Sequence, residues 1–399
     1  MKDENMCPSN SLDNGMTFDE TASSATRERV ESRQRVVDFS FWPATLAHKN
    51  RYKVQHTLFA LDPWSIIEGS ISQKCPAAAK EEAQACLRQA RDFFQAANQA
   101  QTLESRPLSL YYSYMNLVKA FCLTRGQQPT FDKAQHGLSE QLRAPNVELV
   151  DAYLAAYPSP SKKQILQNFD EFLRAVTGKS LPASFDYELK KLLPQTVSGH
   201  RLWCSAENAD ERMFPIESIQ YWKDYQGKTA WLRMILKTEN LNRHGMTRSQ
   251  LLKRTGLNID FKMVSQDPIT DKVLTTLEMK VPIPVSGYAS DKVQELSKLI
   301  KDRIWSVVST VPPYRKYYLY AGPPAEQPHV LPQLLSIYAI SYYLGSITRY
   351  RPHQLPKISQ GAYGPLIQDF ITGQPMQFLY LMASEFSEQD VAKPAIVLQ

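Results

Sequence analysis

The chain has 399 residues, of which 43% are hydrophobic and 22% are charged, a balance that is ordinary for a folded protein and excludes wholesale disorder. The formal net charge of +6 is mild and favours anionic partners only where basic residues cluster. No apolar run approaches the ~20 residues that span a bilayer, and the N-terminus lacks the apolar stretch of a signal peptide, so we expect no membrane partner.

The cysteines and the short motifs point away from metal and cofactor chemistry. Five cysteines lie at positions 7, 75, 86, 122 and 204. No pair has CxxC spacing, and the histidines nearest in sequence form no ligand pattern, so we expect no metal site. P-loop, Rossmann, GxSxG and HExxH patterns are also missing, and we expect no cofactor. Free thiols fit a reducing, cytoplasmic setting.

The sequence of the N-terminal half predicts a tail followed by helices. Residues 1–34 are polar and charged, which predicts a flexible tail whose last part, TRERVESRQRV, begins a helix. A first helical part is predicted over residues 35–195. Its clearest pattern is the amphipathic segment PAAAKEEAQACLRQARDFFQAANQ, and Pro107 opens an apolar helix over 107–125. Shorter helices are predicted around 146–156, from the cap Ser161 to Thr177, and around 183–193.

From residue 196 to 325 the pattern changes to an antiparallel β-rich domain with short inserted helices. Six segments are rich in β-branched and aromatic residues: HRLWCSA, RMFPIESIQYW, KTAWLRMILKTE, FKMVSQD, KVLTTLEMKVPIPV and SVVSTVPPYRKYYLYAG. The inserted helices are TRSQLLKRTG, capped by Thr247, and SDKVQELSKLIKDRIW.

A second helical part over residues 326–399 completes the chain, with VLPQLLSIYAISYYLGSITRYRP as its most apolar segment. The predicted class is therefore α+β: a discontinuous helical domain built from both ends, with the sheet inserted between them. Three independent layers in a row are the alternative. The first arrangement is preferred because helices 107–125 and 331–351 are both too apolar to stand alone.

Both apolar helices carry a narrow polar stripe. Tyr112, Asn116 and Lys119 share one arc of the first helix at 100° per residue. Tyr342, Ser346 and Arg349 repeat the same i, i+4, i+7 spacing in the second helix. Buried amides, hydroxyls and cations need partners, so we expect the two stripes to face each other or a common cleft. The stripe is then a satisfied internal network, a cleft for an anionic ligand or partner segment, or a catalytic site.

These residues carry a family resemblance. RPLSLYYSYMNLVKAFCLTRG, then HGLS at 136–139, and the later YYLGSITRYRP resemble the YaaC-like proteins of bacteria over about residues 40–385. The resemblance implies fold and compartment rather than a mechanism.

The same block also resembles, more loosely, the core helix of HEPN domains, which are helical modules common in bacterial toxins and antiphage systems. Catalytic HEPN members are metal-independent ribonucleases in which four to six residues separate an Arg from the His that follows it. The matching histidine here is His136, and positions 129–131 hold no Arg. The resemblance therefore implies a noncatalytic, binding-type module, and His136 is the catalytic candidate if that reading fails.

A second candidate surface lies in the β-rich part. NRHGMTRSQLLKRTG is the densest basic cluster of the chain, and its nucleic-acid candidates are Arg243, Arg248, Lys253 and Arg254. A charged helix between strands is more often a solvated face. YRKYYLYAG interleaves cations with tyrosines in a way that suits base stacking, although alternating aromatics in a strand more often fill a core.

The function expected from the sequence is that of a noncatalytic interaction or sensing component. The HEPN resemblance implies that this component belongs to a bacterial antiphage defence system. Its expected partners are a protein or a second copy of the chain, with nucleic acid as a further candidate. The alternative from a different class is an RNA-directed enzyme with an altered HEPN-type site at His136.

Overall fold

The computed structural model describes residues 27–32, 34–43, 57–141, 149–160, 165–265 and 267–395. Helices and mostly antiparallel sheets make up these ranges, which confirms the α+β class. Within them, no helix combines the length and the apolar character needed to cross a bilayer. Most of the predicted flexible tail, and the predicted cap Ser161, lie outside the described residues.

The described ranges contain thirteen α-helices, with these bounds: α1 Pro63–Lys74, α2 Ala77–Gln99, α3 Arg106–Thr124, α4 Asn168–Thr177, α5 Leu189–Leu192, α6 His200–Glu207, α7 Thr238–Arg243, α8 Arg248–Arg254, α9 Pro268–Val273, α10 Val293–Ile300, α11 Gln333–Tyr350, α12 Leu355–Gln360 and α13 Gly364–Ser387. Several ends follow from local chemistry. Thr247 and Gln250 form a capping box on α8, and Gly178 ends α4 in the left-handed conformation.

The same ranges contain eighteen strands: β1 Arg27–Arg29, β2 Glu31–Ser32, β3 Arg35–Val36, β4 Thr57–Phe59, β5 Ala134–Gln135, β6 Leu138–Gln141, β7 Tyr153–Ala156, β8 Leu166–Gln167, β9 Phe185–Glu188, β10 Met213–Ile216, β11 Ser218–Asp224, β12 Thr229–Lys237, β13 Phe261–Val264, β14 Leu274–Met279, β15 Ile283–Pro284, β16 Trp305–Val308, β17 Arg315–Tyr320 and β18 Asp390–Ala392. The largest sheet has the order β1-β11-β12-β14-β13, with β15 beside β12. A second sheet, β10-β17-β16, lies between it and the helices.

Helices from both ends of the chain share one hydrophobic core, because α3 packs against α2 on one side and α11 on another. Tyr114 of α3 stacks on Phe378 of α13, with ring centroids 4.0 Å apart. Gly345 allows the close approach of α11, since a Cβ there would lie 2.9 Å from the Cβ of Tyr111. The two apolar helices therefore bury each other, as their composition requires.

The sheet has a core of its own. Leu232 and Met234 of β12 pack with Leu296 and Ile300 of α10, and all four are fully buried. The two cores are joined by ion pairs, which include Lys301–Glu385 at 2.7 Å and Arg315–Asp390 at 3.1 Å.

The segment before β4 differs from the prediction. TRERVESRQRV was predicted to begin a helix, and the first helical part was predicted to start at residue 35. Instead Arg27–Arg29 pairs with β11, and Val30, Val37 and Phe41 are buried in the sheet core. A buried valine between charged neighbours is typical of an edge strand. A strand of three residues is too short to show this period of two in the sequence.

The stretch from 149 to 195 also differs. The helix predicted around 146–156 lies partly outside the described residues, and its last four positions form β7. The helix predicted around 183–193 is confirmed only at α5, because β9 takes the positions before it, and β9 and β6 both pair with β7. The helix predicted to end at Thr177 does so, but it begins at Asn168. Pairing between strands that are distant in sequence outweighs the helical propensity of DAYLAA.

One predicted strand is a helix. HRLWCSA forms most of α6, where His200 and Trp203 are buried three residues apart on one face. The aromatic content of this segment predicts a strand, although the buried positions have helical spacing. The other five segments predicted as strands do contain β-structure.

Candidate functional site

The polar residues of α3 divide into two groups. The Asn116 side chain is buried, and its Nδ2 donates to the Tyr112 carbonyl oxygen at 2.9 Å, so the amide is used within the helix. The Tyr112 ring stacks on Phe93 with centroids 5.4 Å apart, and its hydroxyl points to α11. Lys119 is half-buried.

Across the interface, α11 supplies the partner of Tyr112. Arg349 Nη1 donates to the Tyr112 hydroxyl oxygen at 2.9 Å. Tyr342 lies two turns earlier, and its ring meets the Tyr111 ring edge-on at 5.2 Å. The two helices therefore meet through their polar edges at Tyr112 and Arg349.

His136 enters from the turn between β5 and β6. The next residue, Gly137, has a φ of +76°, and a Cβ there would lie 2.9 Å from the Phe169 backbone nitrogen, so only glycine fits this turn. The turn places His136 Nδ1 2.6 Å from the Tyr111 hydroxyl and its ring 5.8 Å from that of Tyr342.

We define the α3–α11 cleft by the residues that line its cavity of about 30 Å³: Leu108, Tyr111, Tyr112, His136, Tyr342, Gly345, Ser346, Arg349 and Tyr350. The space suits a water molecule or one small polar group. Arg349 and Tyr350 are exposed, so the cleft is reached from solvent. Of the sequence candidates, Tyr112, His136, Tyr342, Ser346 and Arg349 come together here, whereas Asn116 and Lys119 do not line the cavity.

Burial and two cations set the protonation of the cleft. Burial lowers the pKa of His136, and the charges of Arg349 and then Lys119 lower it further. Burial also raises the pKa of Tyr111 well above its usual range, so this tyrosine keeps its proton. Two tautomers satisfy the Tyr111–His136 hydrogen bond. When the Tyr111 hydroxyl donates, the imidazole proton is on Nε2, and when Nδ1 donates, Nε2 is an unprotonated base.

Three residues near this site were missed by sequence reasoning: Tyr111, Glu140 and Arg351. The Glu140 carboxylate, only 5% exposed, is paired with Arg351 and also interacts with Ser346. Burial raises the pKa of Glu140, and these two partners oppose the rise. The sequence signals that could have identified Tyr111 and Glu140 are their positions. Tyr111 is next to Tyr112, and Glu140 directly follows HGLS.

The nucleic-acid candidates are divided between half-buried and exposed positions. Arg248 is half-buried and donates to the Asp271 carbonyl oxygen of α9. Arg254 is half-buried, and its carbonyl oxygen accepts from Gln327 Nε2 at 2.6 Å. Arg243 and Lys253 are exposed. Two of the four side chains are therefore exposed and two are half-buried.

The fold and the cleft define an α+β protein with a helical core built from both ends and a polar cleft between its two central helices. The chain belongs to the YaaC-like family, because the sequence model described as YaaC-like Protein matches residues 48–386, most of its length. This confirms the resemblance seen in the α3 block, HGLS and YYLGSITRYRP. No curated protein and no solved structure matches the chain.

Proposed function

We propose that this protein is a noncatalytic interaction or sensing component, whose α3–α11 cleft binds an anionic group of a protein partner or of a ligand. The observation that supports this most is the convergence of Arg349 and His136 on one cavity, together with Tyr112, Tyr342 and Ser346. A guanidinium, an imidazole and three hydroxyl groups around one small space match the chemistry with which proteins hold phosphate or carboxylate.

The charges around the cleft favour an anion. Arg349 and Lys119 both act on His136 as positive charges, because each lowers the pKa of its imidazole. The nearby acidic group, Glu140, is paired with Arg351. An anion in the cavity therefore meets a positive potential, and it accepts a hydrogen bond from His136 Nε2 when the Tyr111 hydroxyl donates to Nδ1.

The proposed partner is a protein or a second copy of the chain, and the proposed setting is bacterial antiphage defence. This setting depends on the HEPN-like resemblance of α3 and the His136 turn. A cytoplasmic location is part of the proposal, since the cysteines in the described ranges, Cys75, Cys86, Cys122 and Cys204, are free thiols.

The binding proposal is tested by titrating the full-length protein with inorganic phosphate in isothermal titration calorimetry at constant ionic strength. We expect saturable binding that Arg349→Ala weakens by about tenfold, the loss of one charge-assisted contact. The matched control is Arg88→Ala, which removes an exposed arginine of α2 that does not line the cleft. Equal affinities in the wild type, Arg349→Ala and Arg88→Ala would contradict the proposal, as would the lack of saturable binding.

A ribonuclease is the second candidate, and one observation favours it. The local sequence lacks an Arg separated from His136 by four to six residues, but Arg349 of α11 lies close enough to lower the pKa of His136. The fold thus supplies an Arg–His pair from two distant segments. A neutral imidazole beside a guanidinium suits general base catalysis on RNA, provided that Nε2 is unprotonated.

The two candidates are separated by an RNA cleavage assay in the presence of EDTA and by the tautomer of His136. Cleavage that is lost in His136→Ala and in Arg349→Ala, with Nε2 unprotonated in ¹⁵N NMR spectra, would support the enzyme. Intact RNA together with a protonated Nε2 would support the binding component.

A further inference from the structure

A second cluster of polar side chains lies at α6, away from the α3–α11 cleft. His200 and Cys204 are one turn apart on α6, and Glu211 lies in the loop that leads into β10. His200 Nε2 is 3.4 Å from Cys204 Sγ and 3.2 Å from Glu211 Oε1, and one ligand atom from each residue falls within 4.8 Å of the others. His200 is 1% exposed, and the Glu211 side chain is 13% exposed.

The orientation of the His200 ring is fixed by its other nitrogen. Nδ1 lies 2.7 Å from the carbonyl oxygen of Pro194. A carbonyl oxygen only accepts, so Nδ1 carries the proton, and Nε2 is the unprotonated nitrogen that lies near the thiol and the carboxylate. Histidines that bind metals are commonly held by such a bond from the second nitrogen.

We propose that His200, Cys204 and Glu211 form a binding site for a borderline-soft divalent cation of the Zn²⁺ type, with water in the fourth position. Tetrahedral Zn²⁺ has bonds of about 2.0–2.1 Å to nitrogen, about 2.3 Å to sulfur and about 2.0–2.2 Å to oxygen, which places N and S about 3.6 Å apart and N and O about 3.4 Å apart. The observed separations of 3.4 Å and 3.2 Å are close to these edges.

Binding requires two local changes. The Arg212 N–H donates to His200 Nε2 at 2.8 Å, and one lone pair cannot serve both an N–H and a metal. The cation therefore displaces this hydrogen bond, and the loop from 210 to 212 shifts. The thiol proton of Cys204 leaves to solvent as the sulfur–metal bond forms, so the complex gains two positive charges and releases one.

The site occupies the joint between the two cores of the molecule. The chain passes through α6, which packs on α13, and then enters β10 of the sheet. The Arg212 guanidinium stacks on Trp203 and pairs with Glu326 at 2.7 Å. Glu326 lies in the segment between β17 and α11, so this ion pair connects that segment to the same joint. A cation shared by α6 and the loop before β10 would fix this joint.

The test uses chelator-treated, tag-free, full-length protein, titrated with Co²⁺ in absorption spectroscopy and with Zn²⁺ in calorimetry. We expect one equivalent of each cation, with a thiolate-to-Co²⁺ charge-transfer band. Cys204→Ser should abolish the band and weaken Zn²⁺ binding by about tenfold or more, on the scale of losing one ligand. Cys86→Ser, which changes a half-buried cysteine of α2, is the matched control and should keep both signals.

Glu211→Gln provides a second variant for the case that Cys204→Ser does not fold, because it keeps the shape of the side chain and removes only its charge. It should weaken Zn²⁺ binding while the protein keeps its circular dichroism spectrum. No saturable binding in the wild type, or the same stoichiometry and affinity in all variants, would overturn the site.

Discussion

His136 and His200 are both histidines whose pKa is lowered by burial, yet their neighbours differ in charge. Arg349 and Lys119 both lower the pKa of His136 further. At His200 the Glu211 carboxylate opposes Arg212 and Arg201, which lower the pKa, and the Cys204 thiol lies beside Nε2. Burial removes the charge from both rings, and the neighbours then decide which ligand each ring suits. The first arrangement favours an anion, and the second favours a cation.

The two rings also differ in the partner of Nδ1. The Tyr111 hydroxyl can donate or accept, so the tautomer of His136 is adjustable, whereas the Pro194 carbonyl fixes that of His200. An adjustable tautomer suits a group that responds to a ligand. A fixed one suits a permanent ligand to a metal.

The largest effect in a test of this comparison is expected from Gly345→Ala. The new Cβ would lie 2.9 Å from the Tyr111 Cβ, so α3 and α11 must move apart at the site of His136. We expect the free energy of unfolding, measured in urea, to fall by about 1–3 kcal/mol, the usual cost of overpacking. Phosphate binding should weaken as well, while Zn²⁺ binding near His200 should not change.

The control for this variant is Gly69→Ala in α1, where an added Cβ meets nothing within 4 Å. Alanine is the better helix former, so this change should raise the free energy of unfolding by about 0.5–1 kcal/mol. Equal effects of the two variants would show that the close approach of α11 to α3 does not matter.

A medium effect is expected from pH on anion binding. The lowered pKa of His136 means that the folded protein resists protonation, so this group reduces stability as pH falls below about 6.5, its unfolded value. A bound dianion favours the imidazolium and opposes this loss. Sulfate is the probe, because its own charge is constant over this range. Its affinity should therefore rise as the pH is lowered from 7.5 to 5.5, by up to about tenfold per pH unit for the uptake of one proton.

His136→Gln should flatten this dependence, and His353→Gln, which changes an exposed histidine, should leave it as in the wild type. Sulfate affinity that stays constant across the pH range in the wild type would separate His136 from the anion. The contrast with His200 would then be lost.

Much of the fold could be predicted from local patterns, and the errors occur where distant pairing decides. The apolar lengths of α3 and α11 required that they pack together, and the repeated polar spacing identified Tyr112 and Arg349 as facing residues. The strands β7 and β9 were missed because their stability comes from each other rather than from their own composition.

The sites show the same limit. His136 was identified through the resemblance to HEPN domains, but Glu140 and Arg351 were not identified, because their pairing joins residues 211 positions apart. The His200–Cys204 pair was missed for a different reason. In a strand, the structure that the pattern of HRLWCSA predicts, residues four apart are widely separated, whereas in α6 the same spacing places both side chains on one face.

The smallest effects are expected within α3, where Asn116→Ala and Tyr112→Phe distinguish a core network from a cleft. Asn116→Ala removes a buried hydrogen bond and should lower the free energy of unfolding by about 0.5–1.5 kcal/mol, with phosphate affinity unchanged. Tyr112→Phe removes a contact to the exposed Arg349 and should change stability by less than about 0.5 kcal/mol. It should nevertheless weaken phosphate binding several-fold, because Arg349 loses the hydroxyl that orients it. If both variants lower stability alone and leave phosphate affinity at the wild-type value, the polar edges of α3 and α11 only hold the two helices together, and the cleft is not a binding site.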